Sequence, residues 1–138
     1  MNIILKSIIS FVLIGLLSTI IFIWYLTYKK YPGGNVGMAP LLIILNSLLS
    51  LVTSLITLFI IKILAKKELS IIKSNFLFSI VNIFILFFYF GSNPFIYYEN
   101  EIYRNVNLWS YLSVFISLLI VNGILLTKKT LHNNSLVK

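Results

Sequence analysis

Cysteine is absent from this sequence, only three of its 138 residues are acidic, and a single histidine, His132, lies near the end of the chain. The first absence removes disulfides, thiolate nucleophiles and cysteine-ligated metals, and leaves the redox compartment unread. With so few acids and one histidine, no ligand set exists for catalytic zinc or for haem held by paired histidines. Charged residues of both signs make up 10% of the chain, against 59% hydrophobic residues and a mean hydropathy of +1.02. No water-soluble core of this size needs so much apolar material. What the sequence has instead is one long apolar run after another.

Residues 38–61 form the organising run, 24 residues without a charge. A helix rises ~1.5 Å per residue and a bilayer core is ~30 Å thick, so about 20 apolar residues suffice to cross it. Within the run Asn46, Ser50, Thr53, Ser54 and Thr57 recur three and four residues apart, which stacks them along one stripe of a helix. In lipid, small and hydroxylated side chains let backbones approach and hydrogen-bond across helices. The stripe is therefore expected to face protein, as a packing or partner seam.

Three further spans follow the same logic. Ser7 to Tyr28 is uncharged between Lys6 and Lys29 and is too long for a signal-peptide core, and Trp24, Tyr25 and Tyr28 occupy the place of a cleavage site. Pro32, Gly33, Gly34 and Gly37 then make a turn-rich connection, and Pro40 suits the first turn of the second helix, expected over 40–62. A short polar hinge leads to a third helix over 73–90, with Asn75, Ser79 and Asn82 in line, stopped by Gly91, Ser92, Asn93 and Pro94. A fourth helix is expected over 107–127, with Ser110, Ser113 and Ser117 on one face and a loose basic tail at 128–138. Short connections make antiparallel neighbours. The expected fold is all-α, a single domain spanning 1–138, built as a four-helix transmembrane bundle with no internal repeat.

Two counts orient it. With four crossings, Lys6, Lys62, Lys66, Lys67, Lys73, Lys128, Lys129 and Lys138 share one side, and only Lys29, Lys30 and Arg104 take the other. The positive-inside bias places both termini in the cytoplasm. Every tryptophan and tyrosine falls toward the opposite side, where amphipathic rings settle at headgroup level. The net charge of +8 accordingly reads as loops set against an anionic membrane face, not as a nucleic-acid footprint. Richness in Ile, Leu, Phe, Asn and Lys fits an AT-rich bacterial genome as a matter of composition, and the expected location is a bacterial cytoplasmic (inner) membrane.

The chemistry available within the spans is small. They hold no Asp, Glu, His or Arg, and apart from Lys73, which opens the third helix, their one lysine is Lys62 in the last turn of the second helix. Proteins keep a charge at mid-membrane mainly to move ions, protons or charged substrates, so coupled transport of the usual kind is disfavoured. Lys62 could serve as the base of a Ser–Lys pair, but its stem more simply snorkels to the headgroups. Asn46, Asn75 and Asn82 could line a pore, although amides stitching helices together are commoner. In the outer connection Tyr97, Tyr98, Glu99, Glu101, Tyr103 and Arg104 combine rings with charges, as a recognition loop or as an interfacial belt. Asn133 to Ser135 match a glycosylation triplet, but on the expected cytoplasmic side.

The membrane-embedded Glu of small multidrug exporters has no counterpart between Ser7 and Tyr28, and the broken third helix of small fluoride channels has none between Ser74 and Phe90. Size, helix count and basic inner loops loosely resemble immunity proteins against pore-forming toxins, and equally holins or membrane effectors of phage defence. The leading expectation is a non-enzymatic membrane protein acting by helix contacts with another membrane protein or with itself, such as an immunity or accessory subunit. An oligomeric pore or membrane-disrupting effector is the second, and a carrier for an uncharged or lipidic substrate the third. No cofactor or metal is expected.

Overall fold

The computed structural model of the protein describes residues 3–31, 37–66, 69–89 and 101–135, with the side chains of the last helix described as far as residue 128. The described residues form four helices, α1 (Ile3–Lys29), α2 (Ala39–Ala65), α3 (Ile71–Phe88) and α4 (Glu101–Ser135). All four are long and apolar enough to cross a membrane. α3 is the shortest at 18 residues, about 27 Å of rise, which only just matches a hydrocarbon core.

The helices run up and down as a bundle. α1 and α3 meet across the centre, α2 packs on both of them, and α4 closes the other side against the same pair. α2 and α4 thus lie on opposite sides of the α1–α3 diagonal. The lysine-bearing ends come together, with Lys6, Lys62, Lys66, Lys73 and Lys128 at one rim. At the other rim Tyr25 stacks on Trp109 at 4.3 Å and its hydroxyl lies 3.0 Å from that of Tyr31, which clasps the exits of α1 and α4.

Local chemistry sets the ends. Pro40 sits in the first turn of α2, where its missing N–H has no partner to lose. Ser70 caps α3, its hydroxyl accepting a long bond of 3.5 Å from the Lys73 N–H. At the far end of α2 Lys66 takes a left-handed conformation with φ 48°, the position where glycine is usual.

The boundaries differ from the sequence expectation chiefly in α4. It starts at Glu101, not 107, and continues to Ser135, so that residues 128–135 are helical where a loose tail was expected. The physical reason is a stretch without Pro, broken by no Gly but Gly123 and opened by an acid in the first turn, where the helix dipole favours negative charge. α1 and α2 also extend beyond 7–28 and 40–62 by up to four residues, since Lys6 and Lys62 are good helix formers and need not end a helix. The terminators proposed for the third helix, Gly91 to Pro94, lie outside the described residues.

Burial is inverted relative to a water-soluble bundle. Among the described residues fifteen polar side chains are buried against eleven apolar ones, while large aliphatic and aromatic side chains cover the outside of every helix. A surface of that kind is stable only against lipid or other protein.

Candidate functional site

The interior is layered. Nearest the aromatic rim, Phe22, Ile43, Leu86 and Val106, one from each helix, form an apolar layer. A second apolar layer, Phe11, Ile14, Phe78, Leu118 and Val121, lies toward the lysine rim, with Leu51 and Leu55 of α2 packed against it. Phe11 and Phe78 stack at 4.8 Å across the α1–α3 contact. Between the layers lies a polar one that includes Ser18, Asn46, Ser50, Ser79, Asn82, Ser110, Ser113 and Ser117, all buried. Ser7, Ser10, Ser54, Ser74, Asn75 and Asn122 make a further buried polar group on the lysine side.

Two amide pairs tie the helices. Asn46 Nδ2 donates to Asn82 Oδ1 at 2.7 Å and to the Asn82 carbonyl at 3.2 Å, joining α2 to α3. Asn75 Nδ2 donates to Asn122 Oδ1 at 2.7 Å, joining α3 to α4. Side-chain amide bonds of this kind contribute ~0.6 to 2 kcal/mol each in a membrane, enough to fix register. The hydroxyls mostly turn back on their own helices. Ser50 donates to the Asn46 carbonyl, Ser113 to that of Ser110 and Ser117 to that of Ser113, at 2.7 to 2.9 Å.

α1 contributes a close approach as well. Its Gly15 carbonyl accepts from both Ser18 and Thr19, and a Cβ on Gly15 would come within 3.2 Å of Ser47 Cβ on α2. A Cβ there would push Ser47 back by a few tenths of an ångström, so a residue without a side chain suits this approach best. Sequence reasoning placed no seam on α1 and left out Asn122. In α1 the signal is diluted, because Phe11 and Ile14 interrupt the line of Ser7, Ser10 and Ser18. For Asn122 the signal was simpler: any amide inside an apolar run needs a partner in lipid.

The stripe read on α2 divides. Asn46, Ser50 and Ser54 are buried, Thr57 is half-buried, and Thr53 is exposed on the outer face. Thr57 donates to the Thr53 carbonyl at 2.8 Å, whereas the Thr53 hydroxyl has no partner among the described residues. Thr53 stands at the middle of the 27-residue helix, the depth at which hydrocarbon offers nothing to bond. α2 also buries least of itself, with Ile43, Asn46, Ser50 and Ser54 its only buried residues.

The remaining expected positions sit at the ends. Glu101, Tyr103 and Arg104 lie in the opening turn of α4 instead of a loop, with an exposed ion pair of 3.7 Å between Arg104 and Glu101. A pair so wet contributes little to stability. Tyr97, Tyr98 and Glu99 lie outside the described residues. Lys62 shares a cleft with Ser7 and Ser74, but the space there is about 20 Å³, room for one water. Among the described residues no three of His, Cys, Asp and Glu gather as metal ligands.

No protein-family model, no curated protein and no solved structure matches this chain, so what can be assigned to it rests on the geometry of its four membrane-spanning helices.

Proposed function

We propose that the protein is a non-enzymatic subunit of a bacterial cytoplasmic membrane that works by lateral helix contact with another membrane protein or with a second copy of itself, as an immunity or accessory subunit does. Both termini are taken to face the cytoplasm, following the lysine bias. The observation that carries this reading is Thr53: an exposed hydroxyl, without a partner among the described residues, at the centre of the least buried helix. In lipid such a hydroxyl can only turn back on its own helix, as Thr57 does, whereas a neighbouring helix offers it a partner from outside. The buried seams play a different part in this scheme. Asn46, Ser50, Asn75 and Asn82 are buried inside one bundle, where the amide N–H groups of Asn46 and Asn75 bond across helices, so they hold the bundle together while the outer face of α2 meets the partner.

The test follows from that division. Exchanging Thr53 for leucine or tryptophan leaves the folded monomer unchanged by circular dichroism and gel filtration, and reduces co-purification or self-association in membranes. Oxidative crosslinking of a Thr53→Cys variant then tells a second copy from another protein, since the chain has no other thiol. If Thr53→Trp associates as fully as the unmodified chain with everything it binds, the reading is wrong.

A second reading, an oligomeric pore, draws on the unpaired buried oxygens of Asn46, Ser54, Asn75 and Ser79. Within one bundle the Phe11–Phe78 stack and the layer around Phe22 and Leu86 close the axis on both sides of the polar layer, so a pore needs several copies. Expression with a potential-sensitive dye separates the two: a pore depolarises cells, and an accessory subunit alone does not.

A further inference from the structure

At the lysine rim α1 and α4 part to leave a groove of about 420 Å³, within the range of sites that hold small ligands. Ile9 and Leu13 of α1 face Ile124 and Leu125 of α4 across it, and Ile71 at the start of α3 closes the floor. Ile9, Leu13 and Ile124 are also exposed on the outside of the bundle, so the groove opens toward the surrounding lipid. Its walls suit a hydrocarbon chain, but two features ask for more than hydrocarbon.

The first is charge. Lys6 and Lys128 both line the groove, and the one acidic residue described, Glu101, begins α4 at the opposite end of the bundle. The second is Ser10, which lines the same groove and is only 5% exposed; its hydroxyl oxygen is turned away from the open space, has no partner among the described residues, and reaches the groove by a rotation about χ1. One turn of helix separates it from Lys6, which places a hydrogen-bond donor just below a cation, as ester oxygens lie just below a phosphate. Basic pockets between helices at a cytoplasmic face bind anionic headgroups for this reason.

We propose that the groove is a binding site for one anionic phospholipid, with an acyl chain between α1 and α4, the phosphate held by Lys6 and Lys128, and an ester oxygen accepting from Ser10 once its hydroxyl turns into the groove. No residue of α2 lines it, so the site and the partner face of α2 stand or fall separately.

The probe is phosphatidylglycerol against phosphatidylcholine, titrated onto the detergent-purified full chain and counted by native mass spectrometry. One phosphatidylglycerol is retained in preference to phosphatidylcholine. Replacing both Lys6 and Lys128 by glutamine weakens that binding about 30-fold, as expected for two lysines near an anionic headgroup. Replacing Lys66 and Lys73 by glutamine removes the same charge from the same rim, outside the groove, and leaves the bound lipid in place. Leu13→Trp, on an exposed wall position, fills the groove and displaces it. Equal retention of the two lipids overturns the proposal, and so does equal weakening by the two lysine pairs, which would reduce the effect to rim charge alone.

Discussion

The asparagines decide how these helices recognise one another. A leucine zipper in water selects partners by apolar fit, but hydrocarbon outside a bundle is as apolar as leucine inside it, so amides and small residues must set the pairing. Asn46 reaches both the side chain and the backbone carbonyl of Asn82, and a double-mutant cycle with alanine at the two positions is expected to give a coupling of about 0.6 to 2 kcal/mol. Reversible unfolding in mixed micelles measures it; a coupling near zero would mean that the pair only fills space. These amides were legible in the sequence because a polar residue stands out in an apolar run. Thr53 was legible as a polar residue but not in its direction. It neighbours Ser54, about 100° away around the helix, and spacing alone could not tell which of the two belongs to the interior. Gly15 gave no sign at all, since a lone glycine in a helix looks the same whether or not another backbone approaches it.

At the scale of the element, apolar length fixed the number of helices and left their ends open. Turns and caps are local, and lysine gives a weak signal because it is a good helix former that also serves as a rim anchor. Lys66 shows the conflict. It stands in the left-handed region at the end of α2, a conformation that strains a residue with a Cβ by about 1 kcal/mol. Lys66→Gly is expected to raise stability by about 0.5 to 1 kcal/mol, and Lys66→Val, whose branched Cβ tolerates this region worst, to lower it. The same micelle titration reads both. If the two variants shift stability in the same direction, the end of α2 is not held in that conformation. The α4 helix carries the opposite lesson: with no Gly or Pro after residue 123, nothing in the sequence stops it, and the polarity of residues 128–135 marks a change of solvent without a change of backbone.

The whole molecule has a polarity of its own, lysines at one rim and rings at the other, and that asymmetry makes its placement in the bilayer testable. Every introduced cysteine is the only thiol, because the natural chain has none. Four crossings require Lys66→Cys and Lys128→Cys to react from the same side and Tyr31→Cys from the other. The lysine bias sets which side is which: in intact cells a membrane-impermeant maleimide is expected to label Tyr31→Cys at once, and Lys66→Cys and Lys128→Cys only after permeabilisation. Different behaviour of Lys66→Cys and Lys128→Cys would break the four-helix topology, whereas labelling of both from outside would keep the bundle and invert it. Inversion would carry a further consequence, because the lipid proposed for the groove between α1 and α4 would then come from the outer leaflet, while the contact proposed at Thr53, equally deep from either face, would be unaffected. Depth thus separates the two surfaces: one depends on which way the molecule stands, and the other does not.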